Sequence, residues 1–406
     1  MSDRASRPFD LVLFGATGFT GQRAARRLAE VRPDGLSVAL AGRREAPLRA
    51  LAEELDMGVV VADVGDRGSV EAMARAARVL LTTAGPFAVH GDPVVDACAS
   101  AGTHYADLTG EVPWMRRVIE RHHGRARRDG TVLVPASGFD SAPADLAVHV
   151  AASAAAARGQ VLGSGRTVYR LRGGLNGGTL ASVLHIFESA TPRELADPFT
   201  LVPGHVTSAE DWRRHGDPRW PEFDPHGGRW VAPFFMGPIN RRVVGRSLAL
   251  RRKQGDAAAV DPGFRYDEFQ SVSAGRGWLA ARSTTLMLGA GQALLSTRAG
   301  RALFRRFGPA PGEGPSEAVL AAGVTRARTH FELADGGGTI EVVQDMAGDP
   351  GNAATVRILV EVGLALAGRE PAPGAGGVLT PATALGDELV ARLRATGQHS
   401  IDVVER

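Results

Sequence analysis

The sequence predicts an α/β fold: a Rossmann-like, doubly wound parallel sheet at the N-terminus, then a second mixed α+β domain built on an antiparallel sheet. Three observations predict it. Short apolar runs alternate with helical patterns as far as residue 150, as successive βα units do. The first run meets a glycine turn and a helix start. Beyond residue 151 the composition shifts, and two alternating runs at 326–333 and 338–345 flank Asp335, Gly336 and Gly337, the pattern of a hairpin. A chain of 406 residues has room for two domains, placed at 1–150 and 151–375.

The elements follow in order. Residues 9–14 form a buried strand that stops at Gly15, and Ala16, Thr17, Gly18, Phe19, Thr20 and Gly21 complete the turn. Residues 22–30 are a helix with Ala24, Ala25 and Leu28 on one face. This is what a pyrophosphate site needs. Gly15 makes the tight turn, Gly18 lets backbone approach phosphate, and Gly21 lets helix and strand pack closely. The helix start adds free N–H groups and a partial positive charge. A second strand, 36–41, ends in Gly42, Arg43 and Arg44. Two guanidinium groups stand where an acid would bind the ribose hydroxyl of NAD, and they suit the 2′-phosphate of NADP. The plainer alternative is a pair of solvent-facing arginines.

Residues 46–55 are a helix and 58–62 a third strand closed by Asp63. Asp63 falls either beside the adenine or in a cap or turn. After a helix at 69–77 and a strand at 78–83, the small loop Ala84, Gly85, Pro86 and Phe87 falls where the nicotinamide ribose is backed. A helix at 91–101 precedes Gly102, and 104–111 reads as a polar loop with His104, Tyr105, Asp107 and Glu111. Residues 114–128 are helical, with His122 and His123 read as exposed. A strand at 131–135, a turn holding Asp140 and a helix from Pro143 close the first domain.

Composition narrows the function. A net charge of +3 does not mark a nucleic-acid binder. Lys253 is the only lysine and Cys98 the only cysteine, which excludes intrachain disulfides and cysteine metal sites; no metal is expected. The start of the chain lacks an apolar signal core and no uncharged apolar run reaches transmembrane length, so the expected location is the cytoplasm.

The glycine loop, the Ala41-Gly42-Arg43 step, residues 84–87, 102–111 and 137–143 together resemble the saccharopine dehydrogenase-like oxidoreductases, and within them the actinobacterial trans-acting enoyl reductase branch. The likeness continues through 177–182, 233–240 and 376–386. It implies an NADP(H)-linked enzyme that reduces a carbon–carbon double bond in a polyketide or lipid intermediate, a small molecule or an acyl group on a carrier, offered by a polyketide synthase lacking its own reductase. It also implies that residues 376–406 return to the nucleotide domain as a helix. A homodimer is expected for an enzyme of this kind.

In the second domain 166–172 alternates as a half-buried strand, 173–178 is a turn, and Thr179 can cap a helix to residue 188. Residues 191–238 read as a long irregular segment, 352–367 as an apolar helix, and 380–393 as a helix capped by Thr380. The run 278–307 is apolar and then basic. Two ordinary helices covering the substrate domain are the preferred reading; a peripheral membrane or acyl contact is the other.

The chemistry is bounded by what is missing. None of Tyr105, Tyr169 and Tyr266 has a lysine four residues on, so a short-chain dehydrogenase mechanism is excluded. With the hydride coming from the cofactor, the protein must polarise the acceptor and supply a proton. Tyr105, His90 and Asp140 are the candidates, Asp140 as an orienting group unless its pKa is raised. Each has a plainer reading: a buried tyrosine, a surface histidine, a helix-capping aspartate. The rival functions are an imine reductase of the saccharopine dehydrogenase type and a non-catalytic NADP-binding scaffold.

Overall fold

The computed structural model describes residues 7–174, 176–256, 259–272, 277–310 and 312–405. The polar start at 1–6 and Leu175 of the expected turn lie outside them. The first half runs β1 (Phe9–Phe14), α1 (Phe19–Val31), β2 (Val38–Gly42), α2 (Glu45–Glu54), β3 (Gly58–Val61), α3 (Arg67–Ala76), β4 (Ala77–Thr82), α4 (Phe87–Ala101), β5 (His104–Asp107), α5 (Val112–Asp129), β6 (Val132–Val134) and α6 (Ala142–Ala156). The second runs β7 (Leu162–Arg172), α7 (Gly177–Ser189), α8 (Pro192–Ala196), α9 (Ala209–His215), β8 (Glu222–Asp224), β9 (Arg229–Pro233), α10 (Gly237–Gln254), β10 (Val260–Ser271), α11 (Trp278–Leu295), α12 (Arg298–Phe307) and α13 (Glu317–Ala321). It closes with β11 (Val324–Leu333), β12 (Thr339–Ala347), α14 (Thr355–Ala367), β13 (Gly377–Val378), α15 (Pro381–Ala384), α16 (Gly386–Ala395) and β14 (His399–Glu405).

The first sheet has the order β13-β6-β5-β4-β1-β2-β3, and its strand pairs are parallel. Its strands are apolar because helices cover both faces, so no side of a strand needs to be polar. Strand order reverses at β1, which has β2 on one side and β4 on the other. Such a switch point opens a crevice at the carboxyl ends of the strands.

Residues 104–107, read as part of a polar loop, are instead the interior strand β5, buried at every position. The polar groups are tolerated because each is paired. Nδ1 of His104 accepts the Val132 N–H at 2.9 Å, and the Tyr105 hydroxyl donates to Oδ2 of Asp107 at 2.7 Å. Oδ1 of Asp107 accepts the N–H groups of Thr109 and Ala136. The histidines of α5 are likewise not exposed pendants. His122 pairs with Asp96 at 2.7 Å, and Nδ1 of His123 accepts the Val378 N–H at 3.2 Å. His123 thereby ties β13 to the sheet.

The second sheet is mixed rather than antiparallel throughout. Its order is β14-β12-β11-β7-β10-β9-β8, with β10 and β7 parallel. The expected hairpin is β11–β12, in register from Val324–Ala347 to Glu332–Thr339. The cap of α7 is Asn176, whose Oδ1 accepts the Thr179 N–H at 2.8 Å, not Thr179 itself. Residues 191–238 are less irregular than read, holding α8, α9, β8 and β9.

The expected boundaries at 150 and 375 differ from the spatial layout. The first falls inside α6, because the alanine run simply prolongs that helix. α14 falls inside the stretch expected for the second domain yet packs on the parallel sheet, and all 13 of its residues are buried. A Cβ on Gly363 would stand 2.6 Å from Leu81 Cδ1 and 3.1 Å from Leu11 Cδ1, so glycine permits the close approach. The C-terminal segment divides: β13 joins the first sheet, while β14 pairs with β12 in the second. Its expected single helix is broken at Gly386, where φ is +46°.

Candidate active site

The loops leaving β1 to β6 share the carboxyl edge of the parallel sheet, and the glycine loop lies at the switch point. Gly15 has φ +83°, and a Cβ there would come within 3.0 Å of Thr83 Oγ1 beyond β4. A Cβ on Gly21 would stand 2.1 Å from the Gly15 carbonyl oxygen, a backbone collision no rotamer relieves. α1 begins at Phe19 with no side-chain cap. The N–H groups of Thr17, Phe19, Thr20 and Gly21 meet no acceptor among the described residues, as expected of a first helical turn awaiting an anion. Beyond β2, Arg43 and Arg44 are exposed and pair with no carboxylate among the described residues. These observations fit NADP: orphaned N–H groups and a glycine cradle for the pyrophosphate, two free guanidinium groups for the 2′-phosphate. Asp63 folds into an Asx turn, accepting the Gly65 N–H at 2.9 Å, which is the plainer of its two readings.

Ala84, Gly85 and Pro86 follow β4, with the Gly85–Pro86 peptide cis. Phe87 opens α4 one turn earlier than expected. The reason is Glu111, a buried residue that accepts the Phe87 N–H at 2.7 Å on Oε1 and the Ala88 N–H at 3.0 Å on Oε2. A carboxylate at a helix N-terminus satisfies orphan donors and opposes the dipole. Oε1 also accepts the Ser182 hydroxyl at 2.9 Å, so Glu111 joins α4 to α7 across the cleft. Its spacing from Phe87 carries no local signal, and sequence reasoning missed this role.

The three proton-donor candidates are not brought together; among the described residues no hydrogen bond links them. Tyr105 is removed from the set. Its side chain is wholly buried and its hydroxyl is committed to Asp107. Burial lifts the phenol well above its ordinary range, with Asp107 adding to the effect, and lifts the Asp107 carboxyl to about 7. His90, half-buried on α4, feels the charges of Arg43, Asp63 and Glu111. Burial, then Arg43, holds its imidazole below the ordinary value.

Asp140 is different. It follows β6 in the loop that begins at Ala136, itself at φ +58°. Its Oδ2 would lie 3.8 Å from a Cβ on Gly110, and Ile239 Cδ1 and Met236 Cε flank the same point at 3.2 and 3.9 Å. Asp140 makes no hydrogen bond among the described residues, and burial raises its carboxyl to about 6. Behind it, Ser141 donates to Oδ1 of Asn240 at 3.2 Å, and Asn240 Nδ2 donates to Oε2 of Glu268 at 2.7 Å. Tyr169 and Tyr266 both donate to Oε1 of Glu268 at 2.9 Å. This buried network fixes the start of α10 beside Asp140.

The profile of the saccharopine dehydrogenase NADP binding domain matches residues 11–134. A Mycobacterium tuberculosis relative is 38% identical over 96% of this chain and 96% of its own length. The chain belongs to the saccharopine dehydrogenase-like oxidoreductases. A trans-acting enoyl reductase of Mycobacterium ulcerans is 37% identical, covering 97% of each chain. The L-Glu-forming saccharopine dehydrogenase of Saccharomyces cerevisiae is similar in fold, with a TM-score of 0.54 and 14% identity over 97% of this chain and 99% of that one. As a member of this family the protein is an NADP-binding oxidoreductase, and the loop from Gly15 to Gly21 lies inside the matched domain. The fold likeness to the yeast enzyme extends over 97% of this chain and so takes in both sheets.

Proposed function

We propose that this protein is an NADPH-dependent enoyl reductase, acting in trans on an α,β-unsaturated acyl thioester of polyketide or lipid biosynthesis presented by a synthase without its own reductase. The observation that carries this reading is the setting of Asp140. Its carboxyl is raised by burial, no guanidinium among the described residues acts on it, and the apolar ends of Ile239 and Met236 meet it beside Gly110. An imine formed from two amino-acid-like partners has several carboxylates and calls for converging arginines. An acyl thioester calls for an apolar wall and one proton donor.

NADPH, when bound, supplies the hydride. The chain's own work is to hold the pyrophosphate on the free N–H groups of the glycine loop, to hold the 2′-phosphate with Arg43 and Arg44, and to deliver a proton. Asp140 fits the last task, since a carboxyl near pH 6 is protonated often enough at neutral pH to act as a general acid. The names of the full-length relatives support the same reaction class.

The test is a substrate panel followed by NADPH absorbance. Turnover of a crotonyl or longer enoyl N-acetylcysteamine thioester, with none on an amino acid paired with a 2-oxo acid, is the expected result. Turnover confined to the imine-forming pair would transfer the enzyme to the amino-acid branch of its family. NADPH binding with no turnover on either would favour a scaffold.

A further inference from the structure

Residues 269–312 contain six arginines, at 276, 282, 298, 301, 305 and 306, and no Asp or Glu. The stretch forms two helices on the second domain, as the preferred reading had it, but they bury little of themselves. In α11 only Ala281 is buried, and in α12 only Gly300. α11 turns Ala281, Thr284, Thr285 and Leu288 toward the protein and rests on β9. Its outward face carries Leu279, Leu286, Met287 and Leu294; Leu279 is 74% exposed and Met287 69%. Leu303 and Phe307 are exposed apolar side chains on the adjoining α12, Phe307 at 75% exposure. A surface helix normally faces water with its polar side. Here the polarity is inverted, and an open apolar patch of this extent marks an interaction surface.

The charge around the patch says what covers it. Arg282 lies 5.0 Å from the Trp278 ring centroid and 5.9 Å from that of Trp220, both partly exposed. Arg301 and Arg305 share one acid, Glu188. Arg298 and Arg306 pair with no carboxylate among the described residues. A second copy of the chain, related by a two-fold axis, would press this basic face against itself. An acidic protein surface would neutralise the arginines and leave the leucines, Met287 and Phe307 without apolar contacts. An anionic bilayer meets both needs, taking apolar side chains below the headgroups and cations and tryptophans among them. Among the described residues no helix is long and apolar enough to cross a membrane, so the contact is one of lying on the surface.

We propose that the α11–α12 hairpin docks this protein on an anionic lipid surface. The arrangement also reaches the active site. Residues beyond α12 turn back onto the glycine loop, where a Cβ on Gly314 would collide with the Phe19 ring, and onto α7, where one on Gly177 would strike the Ala310 carbonyl. A docked hairpin is thus one short segment from the cofactor loop.

The test is flotation of the full chain with vesicles of phosphatidylcholine alone and of equimolar phosphatidylcholine and phosphatidylglycerol. The proposal expects partitioning at least about tenfold stronger on the anionic vesicles, weakened by salt. Met287→Asn with Phe307→Asn, and separately Arg298→Ala with Arg306→Ala, should each cut it by about tenfold without lowering the melting temperature, since all four side chains face solvent. Absence of binding to either vesicle would overturn it. So would binding indifferent to both variants. Sedimentation of the protein without lipid as a dimer that the apolar variant dissociates would assign the face to a second copy instead.

Discussion

Asp140→Asn is expected to lower kcat for enoyl reduction by about two to four orders of magnitude, with the NADPH dissociation constant unchanged and the melting temperature at pH 8 equal to or above the parent's. The amide keeps the size and the hydrogen-bonding reach of the carboxyl but cannot transfer a proton. The stability half of the expectation follows from linkage. The folded-state pKa of Asp140 is raised to about 6 from an ordinary carboxyl value near 3.9. A group raised in this way leaves stability intact below the unfolded value and removes it as pH climbs through the folded one, because the buried carboxylate then ionises. Asparagine has no charge to bury, so the variant escapes that cost above pH 6. Parent kcat should fall about tenfold per pH unit above about 6, as the protonated fraction shrinks. Loss of activity together with a lowered melting temperature would make Asp140 a structural residue.

Arg43→Ala with Arg44→Ala should weaken NADPH binding roughly a hundredfold, on the scale of losing one or two charge-assisted hydrogen bonds, and leave NADH binding within about threefold. Both side chains are exposed and have no carboxylate partner among the described residues, so the substitution removes no support from the fold. Intrinsic tryptophan quenching reads both constants. Equal weakening of the two nucleotides would mean that the arginines attract anions in general and do not read the 2′-phosphate.

The nucleotide end of the site was legible because its chemistry is local. Gly15, Gly18 and Gly21 sit three residues apart after an apolar run, and Arg43 and Arg44 directly follow a strand, so adjacency in sequence is adjacency in space. The proton-transfer end was not. Tyr105 was named as a proton donor from its place in a polar run, with a buried tyrosine as the plainer reading; β4 and β6 flank its strand and Asp107 takes up its hydroxyl. Asp140 was named, but its raised pKa comes from burial in the folded chain, and the Ile239 and Met236 side chains that meet it near Gly110 stand about a hundred positions away in sequence. Glu111 reaches both Phe87 and Ser182, a bridge that no spacing rule contains. The doubly wound sheet was readable from alternation, whereas the passage of α14 and β13 back to it depends on long-range packing at Gly363 and on His123. In α11 the apolar residues were visible in sequence, but periodicity could not say which face would lie against β9.

The most direct test of the central claim is mass spectrometry of the product formed from an enoyl thioester with 4-deuterated NADPH, in ordinary water and again in deuterium oxide. An enoyl reductase should place the cofactor's deuterium on the β-carbon and solvent deuterium on the α-carbon, and Asp140→Asn should slow formation of that product without redirecting the label. A saturated product without cofactor label, or a label found only on the carbon of a new C–N bond when amine and oxo acid are supplied, would contradict it.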